Sequence, residues 1–312
     1  MEIPDSDNLR AVDISASLVG KLITQQFPQW AGLPIWPVEP GGWDNRTFHL
    51  GEHMSVRLPS DEGYAPQVEK EHRWLPHLAP HLPLPVPVPL ALGAPGCGYP
   101  WPWSVYAWLE GESALTAHVH DLAAFASDLG GFLAALQRID VAGGPAPGPH
   151  SAFRGGRLNT YDAETRQALA EVHGEIDTRR ALEVWEAALS APVHGPPVWF
   201  HGDVAIGNLL VQEGRLSAVI DFGCAGVGDP ACDTVVAWTL FAGESRRAFR
   251  AALSLEPECW ARGRAWALWK ALITLAEHRG TDVAKAAESR RVLAQVLADQ
   301  ESGVIRNVPE LV

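Results

Sequence analysis

Apolar residues Ile14, Leu18, Leu22 and Ile23 recur at three- and four-residue intervals, with Asp13 or Ser15 placed to cap, so residues 13 to 27 are expected to open the chain as a helix. The next stretch, "IWPVEPGGWDNRTFHLGEHMSVRLP", alternates short apolar runs with Gly41-Gly42 and Gly51 and predicts two or three antiparallel strands joined by tight turns. Helical spacing returns over residues 64 to 78 despite Pro66 and Pro76. "LPLPVPVPLALGAPGCGYPWPW" holds too much proline for a helix or a central strand and reads as an extended connector, after which "SVYAWLEG" supplies one more strand. Beyond Gly111 the texture changes. "DLAAFASDLGGFLAALQRI" is a long amphipathic helix, "GGPAPGPH" is a loop, and residues 160 to 190 and 255 to 298 are helical and dense in Ala, Leu and Trp. A sheet-rich lobe is thus expected to precede a larger helical one, with the boundary at 108 to 112.

Composition narrows the class. The 312 residues are 47% hydrophobic and 20% charged, enough to bury a sizeable core. A formal charge of −13 works against an extended footprint on nucleic acid or an anionic membrane, and fits a neutral or cationic small partner or simple solubility. "MEIPDSDNLR" has neither a basic nor an apolar leader segment, and no run approaches about 20 apolar residues, so a cytoplasmic protein without membrane partner is expected. Cys97, Cys224, Cys232 and Cys259 lack CxxC spacing and are expected to be reduced thiols.

The chemistry concentrates in "HGDVAIGNLLVQEGRLSAVIDFG", residues 201–223. Two apolar runs flank Glu213-Gly214, which suits a short hairpin turn because Gly tolerates positive φ. A turn centred there puts Asn208 opposite about residue 219, with Asp221 a residue or two beyond. Strands about 4.8 Å apart let both side chains reach one point, and Asp203, five positions before Asn208, can curl back over it. Hard oxygen ligands without matching His or Cys suit Mg²⁺ sharing its remaining positions with phosphates.

"HGDVAIGN" followed by "IDFG" resembles the catalytic loop and metal-binding segment of the kinase superfamily, and with Gly202 in its centre it resembles the aminoglycoside phosphotransferase family of small-molecule kinases. The resemblance extends over roughly residues 35 to 280. It implies an α+β, protein-kinase-like bilobal fold, with a small antiparallel-sheet N-lobe over residues 1–108 and a helical C-lobe over 109–312. It also implies that Asp203 orients the acceptor hydroxyl and takes its proton, that Asn208 and Asp221 hold Mg²⁺, and that ATP or GTP donates the phosphate. Protein kinases usually carry Arg where Gly202 stands, and "IDFGCAGVGDP" is too short for a long activation segment, so a small-molecule acceptor is expected. In similar kinases an Asp placed like Asp233 of "GDPACD" braces the catalytic loop; Asp229 with Pro230 reads as a helix cap, a purely local capping role for both Asp residues is the alternative, and His201 is expected to be structural, packed near Phe222, and not an acid or base.

In the first lobe the parts are found by order. Gly41, Gly42, Trp43, Asp44 and Asn45 occupy the place of a phosphate-covering loop, although they do not spell G-x-G-x-x-G and a Gly-Gly pair also makes an ordinary turn. "MSVRLP" resembles the strand that carries a phosphate-touching Lys, with Arg57 in its place and Glu71 as its partner; a surface ion pair is the plainer alternative. Backbone groups near Tyr106, Ala107, Trp108 and Leu109 are expected to hold the base. The acceptor pocket is expected from segments 155 to 190 and 255 to 280, where Asp162, Glu164 and Glu277 can meet amino groups, although Arg157, Arg166 and Arg279 among them suggest a solvated face. The leading expectation is Mg²⁺-dependent O-phosphorylation of an aminoglycoside-type antibiotic by a monomer or homodimer. A macrolide, a sugar or an amino alcohol is the rival acceptor, and a nucleotide-binding pseudokinase the rival class.

Overall fold

The computed structural model describes residues 13–39, 41–42 and 44–299, so Trp43 lies outside the described residues. The chain forms two compact units, one running to Pro80 and then from Val86 to Leu109, the other from His81 to Pro85 and onward from Glu110.

The first unit contains α1 (Ala16–Gln26), β1 (Ile35–Pro37), β2 (Asn45–Leu50), β3 (Met54–Pro59), α2 (Ala65–Leu78), β4 (Pro89–Gly93) and β5 (Trp103–Ala107). The Ser15 hydroxyl accepts the Leu18 amide and starts α1. The strands form one antiparallel sheet in the order β1-β2-β3-β5-β4. Proline admitted β4 only as an edge strand, inside the segment expected to be a connector.

Period-two alternation gives this sheet two unlike faces. Phe48, Leu50, Val56, Leu58, Trp103 and Val105 are buried and pack with Val19, Leu22 and Ile23 of α1. Thr47, Arg57 and Ser104 share the opposite face in register, as do His49, Ser55 and Tyr106. That polar face is the one that carries candidate chemistry.

The second unit contains β6 (Glu112–Ser113), α3 (Leu122–Leu136), α4 (Asp162–Glu171), α5 (Thr178–Ser190), β7 (Val198–Phe200), β8 (Leu209–Gln212), β9 (Arg215–Val219), β10 (Gly226–Gly228), α6 (Val236–Thr239), α7 (Gly243–Leu253), α8 (Pro257–His278) and α9 (Val283–Ala298). Helix α8 is the hub. It buries Trp260, Trp266, Leu268, Leu272 and Leu275, and packs against α4, α5 and α9. The helical stretches expected over 160 to 190 and 255 to 298 are α4 with α5 and α8 with α9, whereas α7, which packs on α3, has no counterpart in the sequence reading. No helix among the described residues is long and apolar enough to cross a membrane.

Candidate active site

The β8–β9 hairpin turns at Glu213 (φ 51°) and Gly214 (φ 73°), both in the left-handed region that a tight two-residue turn demands. A bulge after Leu210 moves the register by one, so Leu209 faces Val219 and the Ile220 amide donates to the Asn208 carbonyl at 2.9 Å. Asn208 therefore sits opposite residue 220 instead of 219, next to Asp221.

The loop before β8 brings Asp203 to Asn208. Asn208 Nδ2 donates to the Asp203 carbonyl at 3.0 Å and to Asp203 Oδ2 at 3.2 Å. With its nitrogen so committed, the amide keeps its oxygen for another partner. Asp221 has φ 68° and ψ 71°, a left-handed conformation that Asp tolerates and that a non-glycine residue adopts at a cost of about 1–3 kcal/mol. Among the described residues no group of three His, Cys, Asp or Glu side chains could hold a metal, so the metal donors on offer are the Asn208 amide oxygen and the Asp221 carboxylate. Two hard oxygens with open positions fit Mg²⁺ and do not fit a closed zinc site.

Buried polar groups hold this loop in shape. Asp233 is 1% exposed, and its two carboxylate oxygens accept the amides of His201 and Gly202, each at 2.7 Å. Burial pushes the Asp233 carboxyl up from the usual carboxylate value, while the neighbouring His201 and these amide hydrogen bonds pull it back. His201 is fully buried; its Nε2–H donates to the Ile220 carbonyl, its Nδ1 accepts the Asp203 amide, and its ring meets Phe222 edge-on at 4.6 Å. The sequence offers Gly202 no alternative. Its φ is +84°, and a Cβ there would stand 2.6 Å from the Cys224 carbonyl oxygen.

The turn after "IDFG" is anchored by an ion pair that sequence reading missed. Asp229 caps the 3-10 turn Pro230–Val235 through the Ala231 amide, and Arg262 of α8 donates to it through Nε at 2.6 Å and Nη2 at 3.0 Å. Nothing in the spacing from 229 to 262 signals this pair. A cavity of about 330 Å³ lies beside it, lined by Gly155, Arg157, His194, Asp229, Glu256 and Arg262 among others, but not by Asp203, Asn208 or Asp221. The donor chemistry, and not cavity size, locates the candidate centre.

The acceptor segments meet through aromatic rings. Tyr161 lies on Trp269 with centroids 4.1 Å apart, and the Trp269 indole donates to Glu164 at 2.6 Å. Asp162 accepts from Trp185 at 2.8 Å and from Arg166 at 2.9 Å, while Glu277 stands 73% exposed beside His278. Arg154 and Lys270 each approach the Trp269 ring at 6.0 Å. Burial and the neighbouring Arg154 charge lower the Lys270 ammonium, and the Asp203 charge acts on it in the other direction.

In the first unit, Arg57 Nη1 lies 3.6 Å from Glu71 Oε2, with side chains 15% and 5% exposed, so the pair is not a surface one. Tyr106, 2% exposed, donates its hydroxyl to the same Glu71 oxygen. Gly41, Gly42 and Asn45 lie at the β1–β2 connection, where Arg46 Nη1 donates to the Gly42 carbonyl at 2.6 Å and Asn45 is nearly buried. The Ala107 amide is taken by the Val88 carbonyl at 3.0 Å, and Leu109 ends the unit half-buried. Trp108 extends a ring stack, 4.1 Å from His49, which in turn stacks on Trp36 at 4.6 Å. The candidates therefore fall into two groups, Asp203, Asn208, Asp221 and the acceptor-segment carboxylates in the second unit, and the nucleotide-binding candidates in the first.

Comparison with known proteins agrees with this architecture. A curated aminoglycoside 3'-phosphotransferase from Escherichia coli is 42% identical over 59 residues, 19% of this chain and 22% of that relative's length. The GDP complex of wild-type aminoglycoside 2'-phosphotransferase-IIIa superposes with TM-score 0.69 at 19% identity, covering 91% of this chain and 99% of its own. Macrolide 2'-phosphotransferase MphH from Brachybacterium faecium superposes with TM-score 0.57 at 23% identity, covering 90% and 98%. These likenesses carry the kinase-like α+β fold. The model of the phosphotransferase enzyme family matches residues 37–271, well over half the sequence, and the chain belongs to that family.

Proposed function

We propose that the protein transfers the γ-phosphate of Mg²⁺-bound ATP or GTP to a hydroxyl of a small molecule. The observation that carries this reading is the Asp203–Asn208 contact beside Asp221, held by Asp233. Phosphoryl transfer needs mainly positioning and charge neutralisation, because the transferring group makes little covalent demand on the protein. Mg²⁺, when bound at Asn208 and Asp221, supplies that neutralisation. Asp203, fixed by the Asn208 amide, orients the acceptor hydroxyl and accepts its proton. Arg57 contacts the nucleotide phosphates with Glu71 behind it, Gly41, Gly42 and Asn45 cover them, and main-chain groups around Ala107 and Leu109 hold the base. A cytoplasmic setting, a monomer or homodimer and no nucleic-acid partner complete this reading, the last supported by the formal charge of −13.

An aminoglycoside-type acceptor fits the names of several relatives. A less cationic acceptor, such as a macrolide or a sugar, is favoured by one observation. Asp162 and Glu164 are already engaged by Arg166, Trp185 and Trp269, and the cation Lys270 lies within the field of Asp203.

The test is phosphate uptake from ATP or GTP across a panel of aminoglycosides, macrolides, sugars and amino alcohols, with and without Mg²⁺. Asp203→Asn is expected to lose at least about a hundredfold in turnover while binding nucleotide normally, the scale of a positioned proton acceptor. Unchanged turnover in that variant removes the base assignment. Nucleotide binding without transfer to any of the panel would favour a binding module.

A further inference from the structure

Two cations of the helical unit stand beside one ring with their donors uncommitted. The Arg154 guanidinium carbon and Lys270 Nζ each lie 6.0 Å from the centre of the Trp269 ring, and neither side chain makes a hydrogen bond or ion pair with another described residue. Elsewhere in this unit Arg166, Arg262 and Arg290 each take a carboxylate, at 2.9, 2.6 and 2.6 Å. The carboxylates whose charges reach Lys270 have other places. Glu164 accepts the Trp269 indole at 2.6 Å, Asp203 accepts the Asn208 amide at 3.2 Å, and Glu277 is 73% exposed beside His278. Protein crowds the Lys270 ammonium although solvent still reaches the side chain; that crowding and the Arg154 charge lower it, while Asp203, Glu277 and Glu164 act in the other direction.

The backbone is strained where it presents Arg154. Ala152 (φ 45°) and Phe153 (φ 53°) lie consecutively in the left-handed region, which non-glycine residues adopt at a cost, and Gly155 follows at φ 76°. Phe153 is itself 40% exposed, so burial of its ring does not account for the strain. The turn is fastened by the Phe153 amide on the Gly148 carbonyl at 2.9 Å, the Arg154 amide on the Ser151 carbonyl at 3.0 Å, and the Tyr161 hydroxyl on the Ala152 carbonyl. A Cβ on Gly155 would stand 2.0 Å from a Phe200 ring atom, so the turn is pressed against the strand that leads into His201. Residues Pro149–Ser151 pack on Phe222–Cys224, just after Asp221. Arg154 thus leaves a turn that lies against both segments of the candidate centre.

We propose that Arg154 and Lys270 bind an oxyanion on the acceptor, so that the hydroxyl compound phosphorylated here carries a carboxylate or phosphate group. This rests on the reading of Asp203 as the base of a phosphotransferase. Arg offers a fixed fork of donors and Lys a compact ammonium, and charge-assisted bonds from both meet an oxyanion well. A neutral or cationic acceptor would leave both sets of donors to water.

Glucose, glucosamine, glucuronate and glucose 6-phosphate differ by one group, as do glycerol, glycerate and glycerol phosphate, and phosphate uptake by each from ATP and GTP is the readout. The full chain is expected to favour an acidic member over its neutral counterpart at least about tenfold in kcat/KM, the scale of a hydrogen bond to a charged group. The carboxylate and phosphate members tell which oxyanion is taken. Lys270→Met and Arg154→Met each keep an unbranched stem without the charge and are expected to reduce that ratio about tenfold, whereas Lys270→Arg retains most of it. Equal use of neutral and acidic members, preference for glucosamine, or a ratio unmoved by both Met substitutions overturns the proposal. So does an equal loss with every member of a set, which would assign the two cations to the transferring phosphate. If a variant fails to fold, the ratio in the unsubstituted chain alone upholds or overturns the proposal. Transfer to none of these compounds counts against the transferase reading, and calorimetric binding then decides the subsite. Glucuronate or glycerate binding at least about tenfold tighter than its neutral counterpart, and weakened in both Met variants, upholds the subsite, and equal binding overturns it.

Discussion

Asp233 shows how one buried side chain determines the shape of the loop that carries Asp203. Its two oxygens satisfy the amides of His201 and Gly202, which have no other hydrogen-bond partner among the described contacts. Removing the carboxylate leaves two buried N–H groups unpaired, at about 1–3 kcal/mol each. Asp233→Ala is therefore expected to lose about 2–5 kcal/mol of stability in denaturant titration, and its turnover should fall along with it. Stability unaffected by that change would mean the loop finds its shape elsewhere. Gly202 is constrained as tightly from the other side, by a positive φ and the Cys224 carbonyl, which is why the position cannot carry the Arg common in protein kinases.

At the scale of elements, the segment after the hairpin and the hub helix α8 are joined by Asp229 and Arg262. Their side chains are 7% and 8% exposed, and Arg262 also donates to the Pro192 carbonyl, tying in the chain that leaves α5. Desolvation offsets much of the attraction in such a pair, yet losing one partner strands a buried charge. Asp229→Asn is expected to cost about 3–5 kcal/mol by calorimetry or denaturant titration, whereas a joint apolar replacement of both residues should come closer to neutral. Equal losses in the two variants would argue for a role in packing and not in charge compensation. The hairpin's bulge acts at the same scale. One extra residue in β9 moves Asn208 a step toward Asp221, a shift invisible in the apolar pattern because Leu209, Val211, Leu216 and Val219 remain buried.

For the whole molecule, acid pH is expected to act on the two units in different windows. His72, in the sheet-rich unit, has its imidazole lowered by burial, so folding favours the neutral form. Its stability contribution is complete above the unfolded value of 6.5 and is lost as pH falls below it. In the helical unit, hydrogen bonds from Trp185 and Arg166 lower Asp162, and one from Arg290 lowers Glu175. Those contributions are present above the ordinary values of 3.8 and 4.5 and disappear only as pH falls through the lower folded values. Hydrogen exchange followed from neutral to acid pH should show β2, β3 and β5 opening first, and His72→Gln should remove that early step. Simultaneous opening of both units, with or without His72, would contradict this.

The sequence by itself determined the family and the order of its parts. Residues 201–223 carry the family resemblance because Asn208 and Asp221 flank one hairpin turning at Glu213-Gly214, with Asp203 in the loop just before it, where local spacing dictates who meets whom. Helical periodicity likewise announced α1, α2, α3 and α8, each amphipathic or apolar enough to signal itself. Tertiary structure decided the contacts between distant positions. Arg262 reaches Asp229 across 33 residues, Tyr106 reaches Glu71 across 35, and β4 becomes a strand only because β5 offers it an edge. A buried polar group is satisfied by whatever the fold brings within about 3 Å, and no periodicity along the chain records that meeting.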